Sequence, residues 1–332
     1  GKAEMGDEQV YRYLDLAKAN GIDAVITLSN QFVARADHHP VKVSKVLLRR
    51  TGLFHWPWMW VLTRAQLLQL DNAVDDAEQR FLLDEFVRFL EHPSTGVDGF
   101  TQMNKEWRDI VRAVTNGETL RKTDDRIETT VASWLEEQRD LCLVMARHVG
   151  KPVMLKIERK LQDDPLVRLK AEVADFVAHN LLTCTLQVPD AAADIVLEAN
   201  LATKCLSVQM RLKAPQDRKS AKARVNWLTR MIKDDDPRLV VRAAWPGRAP
   251  NTQALLAALR EEPGLIQGDN PTLVPHSFDI LLIEELGGRF TGSRTFIEAV
   301  ERIVPQFYDL VGQYLRAWHP APPKPVAAQE RA

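Results

Sequence analysis

The chain has 332 residues, 45% of them hydrophobic and 27% charged, the composition of a globular protein with material for a large core. Lys+Arg total 44 and Asp+Glu total 45, so no global charge draws the chain to nucleic acid or to a membrane, and any basic patch must be local. The apolar runs are too short for a transmembrane helix, and the length is that of about two domains.

No signal peptide is visible, and Cys142, Cys184 and Cys205 are widely spaced with no CxxC pair. They read as reduced, buried thiols of a cytoplasmic protein, not a disulfide framework. GxSxG, P-loop, HExxH and GxGxxG motifs are all missing, and position 1 is Gly rather than Met.

Taken in order, Asp7 caps a helix over residues 7–19, with Val10, Tyr13, Leu14 and Ala17 as its apolar stripe and Asn20-Gly21 as its stop. Residues 22–28 are nearly all apolar, the pattern of a strand covered on both faces with Ile26 at its centre. A helix feeding straight into such a strand is the second half of a βαβ unit, whose first strand would lie before Gly1. Residues 43–48 and 53–55 read as short strands around Thr51-Gly52. Pro57 opens a helix over 58–70. A further helix over 76–91 presents Phe81, Leu82, Phe86, Phe89 and Leu90 as a broad apolar face and ends at Pro93.

Beyond residue 95 the expected elements are a helix over 103–114 and a long helix over 124–148, with Ile127, Val131, Trp134, Leu135, Leu141 and Met145 inward. A strand over 153–157 and a helix over 165–179 follow. Strands at 181–188, 194–199 and 204–212 form a meander. After them come a helix over 220–233, a strand at 239–245, a helix over 252–262, a strand at 278–285, and a helix over 293–318 that Pro305 should kink. A tail from His319 holds Pro320, Pro322, Pro323 and Pro325 and reads as disordered. The fold class is therefore α/β, followed by a helical and α+β C-terminal region. Its parts are 1–95, a helical connection over 96–180, an α+β domain over 181–318 and the tail over 319–332.

Gln9 and Tyr13 stand four residues apart and project from one side of the first helix. A Gln-x-x-x-Tyr helix followed tightly by an apolar strand resembles the RecB-like branch of the PD-(D/E)xK nucleases. The likeness covers about the first 30 residues well and about the first 95 loosely. In that family the preceding strands carry an Asp and a Glu-x-Lys that bind Mg²⁺ or Mn²⁺ and activate water, and the Gln-x-x-x-Tyr helix flanks the site. No Glu-x-Lys precedes Gln9 in this chain, so the resemblance implies a partial restriction-endonuclease-like domain that starts after its catalytic strands. No metal ligand can be assigned within it. The implied role is a bacterial-type DNA-processing protein of defence or stress response. The alternative is a non-catalytic interaction scaffold on a degenerate nuclease fold, binding a partner protein.

Other constellations have plainer readings. Asp37-His38-His39-Pro40 is a polar loop, since adjacent histidines rarely share a metal. His55 with Trp56, Trp58 and Trp60 could stack bases but reads first as core or a domain seam. Lys42, Lys45, Arg49 and Arg50 form one basic cluster; Arg211, Lys213, Arg218, Lys219, Lys222 and Arg224 form another, at a helix start suited to phosphate. The candidate DNA contacts among them are Arg49, Arg50, Arg218, Lys219, Lys222 and Arg224. Charge runs are commonly solvated faces, and that reading stands beside this one. Leu286 to Ser293 is a Gly-rich loop between strand and helix, for which a Thr295/Glu298 capping box gives a structural reason. Asp234-Asp235-Asp236 before Pro237 is a turn.

Overall fold

A computed structural model describes residues 5–31, 39–41, 43–44, 46–49, 51–162, 164–268 and 272–320; the Arg49 side chain lies outside this set. The chain is mixed α and β and divides into two units. The first comprises residues 1–189, 195–207 and 284–306, the second 190–194, 208–283 and 307–332. No helix among the described residues is long and apolar enough to cross a membrane.

The first unit opens with helix α1 (Asp7–Ala19), strand β1 (Ala24–Ser29) and strand β2 (Gly52–Pro57). β1 and β2 pair in parallel, from Ala24 opposite Gly52 to Ser29 opposite Pro57. Val10 and Leu14 of α1 pack with Val41 and Leu53, and Val25 lies against them. Three expectations change here. Gly6, not Asp7, is the helix cap, and Asp7 instead places its charge in the first turn, where the helix dipole favours it. The described residues of 43–48 form no strand: Leu47–Arg49 make a 3₁₀ turn before β2. β1 is not covered on both faces either. It alternates, with Thr27 inward while Ile26 and Leu28 are 44% and 39% exposed.

Helix α2 (Trp58–Leu70) starts directly after Pro57, and α3 (Ala77–Glu91) is capped by Asp76, whose carboxylate accepts the Gln79 N–H. The buried side of α3 is Val87 and Leu90 with Leu83 beside them, against Leu62 and Ala65 of α2. The face expected to be buried is largely the outer one: Phe81, Leu82 and Phe89 are 62%, 59% and 65% exposed. Leu83, Val87 and Leu90 share the same i, i+4, i+7 spacing, so the sequence offers two stripes and packing against α2 selects one.

Helix α4 (Trp107–Thr115) leads to α5 (Asp125–Val149), which Asp124 caps and Gly150 ends at φ +68°, a conformation open to glycine without a Cβ penalty. All six apolar residues expected to face inward on α5 are buried. Short strand β3 (Met154–Leu155), helix α6 (Arg159–Gln162), helix α7 (Pro165–His179) and strands β4 (Leu181–Gln187) and β5 (Ile195–Asn200) follow. β3, β4 and β5 pair antiparallel in that order. β4 alternates, with Leu182, Cys184 and Leu186 buried; Trp134 and Gln138 of α5 donate to the Thr183 carbonyl at 3.0 and 2.9 Å.

The chain passes between the units within β6 (Cys205–Lys213) and again within β9 (Ser277–Glu285). The second unit holds α8 (Ala221–Thr229), β7 (Leu239–Ala244), β8 (Thr252–Leu255) and α9 (Leu256–Glu261). β7 pairs antiparallel with both β8 and β9. The helix expected over 252–262 is half strand: Thr252 to Leu255 join β7, and the Trp245 indole donates to the Thr252 hydroxyl at 3.0 Å. Sheet pairing overrides helix propensity there. Asp279, buried in β9, takes a two-pronged ion pair from Arg211.

Helix α10 (Ser293–Phe307) contains Pro305 and gives way to a π-turn over Tyr308–Gly312 instead of running on to 318. Proline removes an i to i−4 hydrogen bond, and the wider π geometry follows within one turn. In the first unit, Phe296 of α10 packs on Trp107 at 4.4 Å between ring centroids, and Phe290 closes the cluster; the Trp107 indole donates to the Phe290 carbonyl at 2.9 Å. Most of the expected tail, from residue 321, lies outside the described residues.

Candidate functional site

α1 presents Gln9 and Tyr13 on its solvent side, and Gln9 Nε2 donates to the Tyr13 hydroxyl at 2.9 Å. Both line a groove of about 440 Å³ whose floor comes from Ile26, Leu28 and Ser29 of β1. The two side chains are thus paired, accessible and next to the exposed apolar residues of the strand, with no charged group among the described residues that line the groove.

Behind β1 lies a chain of neutral groups that the sequence did not announce. The Val41 N–H donates to His39 Nδ1 at 3.0 Å, which puts the proton of that ring on Nε2. His39 Nε2 meets Thr27 Oγ1 at 2.8 Å, and Thr27 Oγ1 meets His55 Nδ1 at 2.9 Å. His55 Nε2 donates to the Gln31 carbonyl at 2.9 Å. Each donor therefore finds an acceptor when both rings are neutral. Burial holds the His55 pKa down at about 4, and it lowers that of His39 as well. His38 and Asp37 lie outside the described residues, and His39 acts as a hydrogen-bonding partner. The tryptophans beside His55 are half-buried; Trp56 and Trp60 pack at 5.0 Å between ring centroids, and Trp58 lies against the α2–α3 core.

Of the basic residues, Lys42, Lys45, Arg50 and the Arg49 side chain lie outside the described set. Ser220 caps α8 through the Ala223 N–H at 3.2 Å. Arg224 turns back onto the backbone, donating to the carbonyls of Arg218 at 2.9 Å and Pro275 at 2.7 Å. Arg218 is half-buried, while Lys219 and Lys222 are exposed. Arg211 is committed to Asp279. The cations that point outward at this helix start are thus Lys219 and Lys222.

The Gly-rich stretch forms a 3₁₀ turn over Gly287–Thr291 with Phe290 buried. The Thr295/Glu298 capping box does not form. The Phe296 N–H already bonds the Gly292 carbonyl at 2.9 Å, so α10 starts before Thr295, whose hydroxyl donates to the Arg289 carbonyl at 2.6 Å. Glu298 accepts instead from Arg294 at 2.8 Å. The aspartate run is a turn, with Asp236 receiving both the Arg238 backbone N–H and its guanidinium.

The strongest convergence of chemistry is one that the sequence reading missed. Glu137 and Asp140, one turn apart on α5, meet Glu301 of α10, and one carboxylate oxygen of each lies within 4.8 Å of the others. Glu137 and Asp140 are wholly buried, and Glu301 is half-buried. Asp140 accepts the Phe100 N–H. The backbone there comes so close that a Cβ on Gly99 would collide with Asp140 Oδ2. Burial drives Glu137 well above the ordinary carboxylate range, and the Glu301 and Asp140 charges push it the same way. Burial likewise lifts Asp140 to about 6 and Glu301 to about 7. A signal existed: Glu137 falls three residues after Trp134 and four before Leu141, on the inward stripe of α5.

No family model, curated protein or solved structure matches the chain.

Proposed function

We propose that this chain belongs to a DNA-processing protein of the PD-(D/E)xK kind, in which α1 and β1 form the flank of a nuclease site whose catalytic carboxylates and lysine are not among these residues. The observation that supports this most is the Gln9–Tyr13 pair, hydrogen-bonded and accessible above the β1 groove. In such a site the amide and the phenol orient substrate and catalytic groups, while Mg²⁺ or Mn²⁺ belongs to the catalytic strands. Lys219 and Lys222 are the proposed phosphate contacts, together with Arg49 and Arg50. A bacterial setting in defence or stress response, and a cytoplasmic location, belong to the same proposal; the free thiols of Cys142, Cys184 and Cys205 agree with a reducing compartment.

The test is titration of labelled duplex DNA by fluorescence anisotropy, with and without Mg²⁺. The chain should bind DNA in a salt-dependent way without cleaving it. Replacing Gln9 and Tyr13 together by Ala should weaken binding while leaving the circular dichroism unchanged. A chain that does not bind DNA at low salt, or a double variant with parental affinity, would sink this reading. The second reading, an interaction scaffold, is favoured by the exposed Phe81, Leu82 and Phe89 of α3. It expects no DNA binding at all, so the same titration separates the two.

A further inference from the structure

Glu137, Asp140 and Glu301 gather three carboxylates inside the first unit, with one oxygen of each within 4.8 Å of the others. Proximity among acids would not by itself imply a ligand. The second observation is that both oxygens of Glu137 and Oδ1 of Asp140 are buried without a hydrogen-bond partner among the described residues. A carboxylate removed from water with both oxygens unpaired bears its full desolvation penalty, and proteins keep such a group where something completes it. Glu137 is 0% exposed, and its oxygen points at the other two acids.

Charge leads to the same place. Arg147 acts on both Asp140 and Glu301, and Arg139 acts on Asp140. Arg147 is itself anchored by donation to the Thr63 hydroxyl at 2.8 Å. Three carboxylates thus face Arg147 and, at Asp140, Arg139, so acids outnumber bases here, and a cation would offset the excess. Spacing agrees as well. Two ligands of one ion at about 2.3–2.6 Å can stand up to about 5 Å apart, which spans the observed separations.

We propose that Glu137, Asp140 and Glu301 form a divalent-cation site that ties α5 to α10. The converging ligands are all carboxylate oxygens, so the site suits a hard ion such as Mg²⁺, Mn²⁺ or Ca²⁺ and not one that seeks nitrogen or sulfur. Glu301, the half-buried member, gives the ion its way in and leaves room for coordinated water on that side. The Phe100 N–H orients Asp140, and the absence of a Cβ at Gly99 lets the backbone approach closely enough to do so. The site stands apart from the nuclease reading: it is built on α5 and α10 and does not involve Gln9 or Tyr13.

The experiment uses the full chain stripped with EDTA and titrated with Mn²⁺, free ion being counted by electron paramagnetic resonance and stability followed by thermal melting. The parent should bind one Mn²⁺ per chain and melt at a higher temperature as the ion is added. Glu137→Gln keeps the shape and removes the charge. Loss of outer-shell partners already weakens metal sites about 10–100-fold, so loss of this ligand should weaken binding by about 100-fold or more and abolish the melting shift. Glu301→Gln, at the half-buried position, provides the same comparison if Glu137→Gln does not fold. No Mn²⁺ bound to the parent at 1 mM would overturn the proposal and leave a cluster of acids sharing protons. Parental binding by a folded Glu137→Gln or Glu301→Gln variant would overturn it too.

Discussion

Acid should loosen the β1–β2 region through His55, and the size of the effect follows from the geometry. The ring is 0% exposed and makes both of its hydrogen bonds as the neutral Nε2–H tautomer, to the Gln31 carbonyl and from the Thr27 hydroxyl. Burial lowers its pKa from 6.5 to about 4, with the charges of His39 and Arg139 acting in the same sense. The folded state therefore binds fewer protons than the unfolded one between these values. The stability this contributes is complete above about pH 6.5 and is lost as pH falls through 4. The gap between the folded and unfolded values corresponds to roughly 3 kcal/mol, of which about 2.5 kcal/mol is gone by pH 4.5. Urea unfolding of the parent and of His55→Gln at pH 7.5 and 4.5 isolates this contribution, because the other carboxylates and His39 titrate in both proteins. The parent should lose about 2–3 kcal/mol more than the variant over that interval. Equal losses would mean that His55 is protonated in the folded protein or reaches water, and the neutral chain from His39 to Gln31 would be wrong.

Other perturbations test the remaining structure. Trp107→Ala should cost about 3–5 kcal/mol in denaturant unfolding, because it empties the space against Phe290 and Phe296 and strands the Phe290 carbonyl. Gly99→Ala should cost about 1–3 kcal/mol, since its Cβ would meet Asp140 Oδ2 and the buried carboxylate has little room to move. The sequence alone makes Ile26→Asp severely destabilising, but at 44% exposure Ile26 should tolerate it with a change of about 0.5 kcal/mol or a little more; complete unfolding would show that the β1 face is covered. Lys219→Ala with Lys222→Ala should flatten the salt dependence of DNA affinity by about 0.9 in the log–log slope for each phosphate that these lysines neutralise, leaving the melting temperature unchanged.

Much of the fold was legible because local chemistry and tertiary packing agree. On α5, the Asp124 cap, the inward stripe and the Gly150 stop all say the same thing, and the helix spans Asp125–Val149. Where they disagree, the sequence misleads. The apolar residues of α3 support two overlapping stripes, and packing against the preceding helix α2 decides that Val87 and Leu90 turn inward. Thr252 to Leu255 would continue the helix that follows them, yet β7 recruits them as an edge strand. The run over residues 22–28 looks doubly buried because Ile, Val and Leu stand on both sides of the pleat, although packing hides only one of them.

The same division governs the sites. Gln9 and Tyr13 could be found because their pairing is local, four residues along one helix. The carboxylate cluster could not, because Glu301 lies 161 positions beyond Asp140 and nothing in the intervening sequence reports that α5 and α10 meet. What could have been noticed is the anomaly within α5. A helix that buries Trp134, Leu141 and Met145 places Glu137 and Asp140 among them, and an acid on an apolar stripe requires a partner from elsewhere. An amphipathic pattern is therefore read most profitably at its violations. The apolar positions say where the core lies, and a charged residue among them marks where packing has been given up for something else. Here that something is a pair of carboxylates with oxygens unpaired among the described residues, facing a third across two helices.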